Sequence, residues 1–519
     1  LNERSTPASA ASPAGPSARG PLGWLVATSA ILFAVRLYAA DHVGFGDSEA
    51  LYACYALHPQ PAYLDHPGLV GLLARAIGGG NAPLPAATHH LTAVLATLVP
   101  WVVALAARLA GATWRRATVA ALCTAAAPEI SFGLFALTPD LPLAFAWLGA
   151  LGLAAAGLRA PPASNRAAAA LLFAGTLAGV ACAAKASGCL LLVALAVAYA
   201  SPPARAHART VWPWTGLLAG MLVIFPIASY EAHAGWPMLA HRLVDTQEGS
   251  RFSLRNVGAL VGGQFLYLSP VILVLAGVVG RTLLRSLRQP PRDPVERLLA
   301  ASFLFPLVIL GALCLWSRVA EPHWIAPALL ALPLYGAIAP RAPSPRLVVT
   351  GIVTGFLCVA LAHAWVLVPE AARLRPESAD ASLDIANELF GWPRVLTAVE
   401  EIVDTARAED PDDVPVVVGP FYTICAQLHA GLDRDIAVGC QEAIRDDFDD
   451  WLPRTLWENA AQILFVTDNR FPVDLAARFP DRFPARSWDI PIARGGRLVR
   501  TFRATLLLPR ALGDARDPG

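Results

Sequence analysis

Leu141–Leu158 reads LPLAFAWLGALGLAAAGL, and a short loop beyond it Ala167–Ala184 reads AAAALLFAGTLAGVACAA. Neither stretch contains a charged residue, and the loop between them carries Arg159 and Arg166. A surface helix of a soluble domain shows a polar face every turn, and a half-buried strand alternates polar with apolar; these runs do neither. About 20 apolar residues are needed to cross the hydrocarbon core as a helix, fewer where neighbouring helices shield the ends. The two runs therefore read as a transmembrane hairpin with a basic turn.

The same pattern extends in both directions. Further spans are expected at Gly23–Ala40, Leu91–Gly111, Ala117–Leu137, Gly188–Ala200, Trp214–Ser229, Val257–Val279, Leu298–Trp316, Trp324–Ile338 and Leu347–Val368, about eleven in all, with the sixth and tenth short. Composition agrees: 55% of the chain is AVILMFWYC and 15% is charged, against about 25% in soluble domains. The net charge of +1 gives no electrostatic reason to expect a nucleic-acid partner. The fold class expected is an all-α polytopic membrane bundle with a small C-terminal α/β domain.

Arginine placement orients the bundle. Arg108, Arg115 and Arg116; Arg159 and Arg166; Arg205 and Arg209; Arg281, Arg285, Arg288, Arg292 and Arg297; and Arg341 and Arg346 fall in alternate loops, which should be cytoplasmic. The intervening segments, His42–His90, Thr138–Asp140, Glu231–Asn256 and Ser317–His323, are mixed in charge and should face outward. Three regions result: a disordered cytoplasmic tail over residues 1–22, a transmembrane core over 23–368 with an outer loop at 41–90, and an extracytoplasmic domain over 369–519. In the last, Asn387–Ala408 has helical periodicity, and Val414–Val418, Ile463–Thr467 and Leu498–Leu508 read as strands. Of the eight cysteines, six lie in or beside apolar runs; Cys425 and Cys440, in the outer domain, are the pair that could form a disulfide.

Ionisable groups gather at the outer helix ends: Asp47, Glu49, Asp65 and His66 in the first loop, Asp140, Lys185, Arg318, Glu321 and His323 in later ones. Such groups at the membrane are costly and functional by default. Lys185 is the only lysine among 40 basic residues. Each residue also has a plain structural role open to it: a solvated loop acid at Asp47 or Glu49, a helix cap at Asp140, a snorkelling anchor at Lys185. Glu129, after Pro128, lies inside a span and could serve either purpose. No metal-ligand spacing is legible around His66 and His323, although a divalent ion stays open.

In order along the chain stand Asp47-Ser48-Glu49-Ala50-Leu51-Tyr52, Tyr63-Leu64-Asp65-His66-Pro67, Thr138-Pro139-Asp140, Lys185, Gly263-Gln264-Phe265-Leu266-Tyr267-Leu268-Ser269-Pro270 and Glu321-Pro322-His323-Trp324. With these motifs the chain resembles the GT-C superfamily of membrane glycosyltransferases, in the family 39 branch of protein O-mannosyltransferases and the bacterial aminoarabinose transferase. Asp449-Asp450-Trp451 is similar to a further Asp-x-Trp element. There are departures: Ser48 splits a normally adjacent Asp-Glu pair, Gly68 replaces a second proline, and His89 and His90 stand where arginine is usual.

The resemblance implies a multi-pass enzyme of the bacterial inner membrane. It would pass a sugar from a polyprenyl-phosphate donor to a hydroxyl of a lipid, glycan or protein acceptor on the extracytoplasmic face, with no certain cofactor and a divalent metal left open. It implies Asp47 as general base, with Glu49 its substitute. Lys185 and Arg318, assisted by His66 and His323, would bind the donor phosphate, and Asp65 and Asp140 would orient sugar or acceptor. A secondary transporter is the rival class; it would hold its charges near mid-membrane in repeated halves, and no internal repeat is present. A non-catalytic envelope scaffold would leave the clustered acids unexplained.

Overall fold

The computed structural model describes residues 19–288, 293–376 and 383–510. The expected tail at 1–22 lies outside the described residues up to residue 18; from Arg19 the chain is already helical.

Among the described residues, seven helices are long and apolar enough to cross a membrane: Gly20–Ala40, Pro85–Leu109, Asp140–Arg159, Asn165–Ala184, Trp212–Ala234, Pro294–Trp316 and Pro345–Leu367. Three expected spans are bent pairs instead. Trp114–Ala125 turns by 80° into Pro128–Phe135, Ala186–Ala200 by 72° into Pro202–Ala208, and Leu254–Leu268 by 104° into Pro270–Ser286. Proline explains each break: it lacks the N–H that would continue the ladder and its ring crowds the preceding turn. At the sharpest bend Ser269, just before Pro270, adopts φ 69°. With each bent pair taken as one span the count reaches ten. The expected Trp324–Ile338 span is a broken, shorter apolar segment, Pro322–Ile338.

Small residues set the packing. Helix Asn165–Ala184 crosses Trp212–Ala234 so closely that a Cβ on Gly175 would stand 2.0 Å from the carbonyl oxygen of Gly216, and one on Gly179 would stand 2.3 Å from that of Gly220. Membrane helices lack the hydrophobic drive to associate and rely on such backbone approach. At one end of the bundle the arginine-rich loops interlock. Arg116 donates to the carbonyl of Gly336 at 3.0 Å, and Arg159 donates to that of Ala110 and pairs with Asp293 at 3.0 Å.

Beyond Leu367 the chain forms a five-stranded sheet: β1 (Val416–Gly419), β2 (Val438–Cys440), β3 (Ile463–Asp468), β4 (Arg482–Arg494) and β5 (Arg497–Pro509), ordered β2-β1-β3-β5-β4. The β1–β2 and β1–β3 pairs are parallel; β5 runs antiparallel to β3 and β4. Helix Trp392–Glu409 packs Trp392, Val395, Val399 and Val403 into a core with Val417, Leu464 and Phe502. Two strands were not expected. β2 has three residues, and β4 carries Pro484 and Pro491, tolerable because it is an edge strand.

Candidate active site

The outer end of the bundle is organised by the loop between the first span and Pro85. Its helix Asp47–Tyr55 is buried at every position except Ser48. A neutral amphipathic helix would leave one face in water; this one lies between the bundle and the outer domain and needs partners for its acids. Glu49 finds them at hand. Its carboxylate accepts from the Leu137 N–H at 2.6 Å and the Gly46 N–H at 3.3 Å, and His89 Nε2 lies 3.0 Å from Oε2. His89, where arginine is usual, thus serves as the partner of Glu49.

Asp47 finds its partner in the outer domain. Arg470 Nη1 donates to Asp47 Oδ2 at 2.9 Å while Arg470 Nε donates to Asp468 Oδ2 at 2.9 Å. Asp468 also pairs with Arg500, whose Nη1 donates to the Asn387 carbonyl at 2.6 Å. Asp47 and Glu49 thus tie the helix to the outer domain and to the bundle, while Asp47 Oδ1 is buried without a hydrogen-bond partner among the described residues.

The remainder of the loop folds back over this helix. Tyr55 and Tyr63 stack at 3.6 Å, the Tyr55 hydroxyl donates to Asp447 Oδ2 at 2.9 Å, and the Leu64 N–H donates to Asp447 Oδ1 at 2.9 Å. Gly68 donates its N–H to the Pro61 carbonyl at 2.8 Å, and a Cβ there would stand 2.3 Å from the Gln60 carbonyl oxygen. A proline at 68 would lose that bond, which accounts for the departure from the expected motif. The tight turn presents Asp65 and His66 away from the Asp47 network.

There they meet residues from four other segments. Helix Asn165–Ala184 ends with Lys185 in an extended conformation, and Asp140 opens the neighbouring antiparallel helix after Pro139. Lys185 Nζ reaches both Asp140 oxygens, at 2.8 and 2.9 Å. His323 Nε2 lies 4.0 Å from Asp140 Oδ2, and its Nδ1 lies 3.3 Å from Glu321. Arg242 pairs with Asp65 at 2.9 Å, His241 Nε2 lies 3.6 Å from the same carboxylate, and the Arg242 guanidinium rests 5.9 Å from the Trp324 ring. Tyr52 lies edge-on to His66 at 5.5 Å. Tyr422 brings its side chain to Ser48 and within electrostatic range of Asp65.

Burial alone would raise the Asp65 carboxyl, but Arg242, His241 and His66 together hold it well below the usual carboxylate range. Burial first, and Arg242 next, push His66 down to about 3, so its imidazole is neutral and offers one N–H. The hydrogen bond from His323 holds Glu321 low. The arrangement is two cations, each shared with one carboxylate, flanked by three histidines. An anion with more charge than a carboxylate could displace either acid from its cation.

Asp65, His66, Asp140, Lys185 and His323 come together in one cluster. Arg318 stands apart: it is exposed, with its N–H on Ser250 Oγ at 3.2 Å and its guanidinium near the Glu248 carbonyl. Arg242, His241 and Tyr422 were missed. Arg242 shares its outer segment with Arg251 and Arg255, so nothing in the sequence set it apart, and the loop of Tyr422 is placed by the sheet.

Residues 86–230 match the protein family described as dolichyl-phosphate-mannose-protein mannosyltransferase. No curated protein matches the chain. Among solved structures, ArnT from Cupriavidus metallidurans in the apo state superposes with a TM-score of 0.60 at 16% identity, over 93% of this chain and 98% of that one. The same protein bound to undecaprenyl phosphate gives 0.58 with the same identity and coverage. The Archaeoglobus fulgidus oligosaccharyltransferase in its apo form gives 0.50 at 13% identity, over 86% of this chain and 69% of that one. The fold is therefore of the GT-C type, shared with ArnT and with the archaeal oligosaccharyltransferase.

Proposed function

We propose that this multi-pass chain of GT-C fold transfers a sugar from a polyprenyl-phosphate donor to an acceptor hydroxyl at the outer face of the membrane. The observation that carries the reading is the convergence of Lys185, Arg242, His66 and His323 around Asp140 and Asp65 at the bundle end opposite the arginine-rich loops. The expected topology makes that end extracytoplasmic, with residues 369–519 outside and the tail inside, in the bacterial inner membrane. ArnT, solved with undecaprenyl phosphate bound, supports the donor class.

The donor phosphate takes Lys185 and Arg242 as its cations and an N–H from His66 or His323; Arg318 stands at the rim, where an entering headgroup would pass. As Lys185 turns to the phosphate it releases Asp140, leaving a carboxylate without its counterion beside the reacting centre. The acceptor oxygen attacks the anomeric carbon, the bond from that carbon to the phosphate oxygen breaks with its electron pair, and the hydroxyl proton passes to the carboxylate. The cations stabilise charge as it grows on the departing phosphate. Asp65, held ionised by Arg242, orients the sugar.

We take Asp140 as the base over Asp47, the sequence's candidate, and Glu49, its substitute, because Asp140 is the acid seated on the cation that would turn to the donor phosphate. Purified protein with a polyprenyl-phosphate sugar separates the two. Asp140→Asn should abolish transfer while the protein still binds donor. An Asp47→Asn variant that folds and binds donor normally yet is inactive would return the role to Asp47.

A further inference from the structure

The outer domain holds a second cluster that plays no part in this chemistry. Cys440 ends β2, Glu442 follows it in the loop, and Asp446 precedes the short helix Asp447–Trp451. One ligand atom from each of the three lies within 4.8 Å of the other two. Cys425, on helix Tyr422–Gly431, brings its thiol against that of Cys440, and both cysteines are buried and unbridged. We propose that Cys440, Glu442 and Asp446 bind a divalent metal of the zinc class, with the Cys425 thiol beside the fourth position.

Three observations support a cation here. The backbone is fixed before any ion arrives: the Gln441 N–H donates to the Gly419 carbonyl at 2.9 Å, and Gln441 exchanges hydrogen bonds with Arg478 at 3.0 and 3.2 Å. Asp446 uses Oδ1 to accept from the Phe448 N–H at 3.0 Å, whereas Oδ2 is buried, has no N–H or O–H donor among the described residues and meets the Cys440 thiol. Arg454 lies within electrostatic range of the cluster but makes its hydrogen bonds to the Asp449 carboxylate at 3.0 Å and the Glu442 backbone carbonyl at 2.6 Å. Two carboxylates and two thiols are thus packed with no cationic side chain hydrogen-bonded to them among the described residues. A ligand set of thiolate with carboxylate suits zinc better than magnesium or calcium.

The ion would tie the outer domain to the candidate active site. Glu442 accepts the Tyr422 N–H at 3.1 Å, and Asp447, next to Asp446, receives Tyr55 and Leu64 of the first outer loop.

The test uses the full-length protein purified in detergent without a metal-binding tag. Elemental analysis should find one zinc per chain that Cys440→Ser and Asp446→Asn each remove, with a lower melting temperature. Because such a variant could lose zinc by misfolding, the wild-type protein is also exchanged with Co²⁺. A thiolate-to-cobalt charge-transfer band, lost on adding zinc, supports the site. Mass spectrometry of alkylated, unreduced protein should show Cys425 and Cys440 protected until a chelator is added. Protection released only by a reductant means a disulfide and overturns the proposal, as does zinc content unchanged in both variants or a cobalt spectrum without a thiolate band.

Discussion

Replacing Arg470 with methionine should loosen the outer domain from the catalytic loop. Arg470 is the shared cation of two acids, Asp47 and Asp468, each at 2.9 Å, and the three side chains are 3%, 11% and 0% exposed. Methionine approximates the volume of the arginine stem but leaves Asp47 without a cation, while Asp468 keeps Arg500. Removing one partner of a buried pair costs about 3–5 kcal/mol, mostly from the charge left behind. At roughly 2–4 °C per kcal/mol for a domain of this size, the melting temperature should fall by about 10 °C. The assay is thermal unfolding of purified protein, repeated for Asp47→Asn and for the double variant. The double variant should recover part of the loss, giving a coupling energy on the order of 1–3 kcal/mol. Strict additivity, or an Arg470→Met protein as stable as wild type, would refute the claim that this pair docks the helix.

Asp140→Asn should lower kcat by about a hundred- to ten-thousand-fold with donor affinity kept, read by single-turnover transfer. Lys185→Arg should lose much of the activity, because a planar guanidinium replaces a compact ammonium seated on both Asp140 oxygens; transfer kinetics at wild-type rate would show that compactness is irrelevant. His58 and His429 meet through their Nε2 atoms at 2.9 Å, stacked beside Trp451. Burial, then His58, lowers His429 to about 4. The unfolded state therefore takes up the proton first, and stability present above about pH 6.5 should be lost as the pH falls towards 4; His429→Gln should flatten that slope in melts across the range. Gly175→Ala should destabilise the bundle by about 1–3 kcal/mol, measured by thermal unfolding, since its Cβ would meet the Gly216 backbone.

The membrane helices were legible because uncharged runs of about 20 residues have few other solutions. Their breaks were harder to read. Apolar character continues through Pro128 and through Ser269-Pro270, so hydropathy gives no sign of an 80° or 104° turn. β4 was hidden by its prolines and charges, which an edge position permits. Charge at the outer helix ends singled out Asp65, His66, Asp140, Lys185 and His323, and the fold brings these together. What the sequence could not convey was pairing at long range. Asp47 looks like an exposed loop acid until Arg470, far along the chain, is folded onto it. Arg242 looks like one charge in a mixed segment until it is found on Asp65.

If the Lys185–Arg242 cluster seats a lipid phosphate, as proposed, binding shows it directly. Purified wild-type protein in nanodiscs is titrated with undecaprenyl phosphate and, separately, with undecaprenol, which shares the chain and lacks the phosphate. The account predicts saturable binding of the phosphate lipid, weakened about tenfold or more (about 1.4 kcal/mol) by Lys185→Ala and by Arg242→Ala, in variants whose melting temperatures are checked. Undecaprenol should bind weakly and equally to all three proteins. Equal affinity for both lipids, or phosphate-lipid binding indifferent to both substitutions, would contradict it.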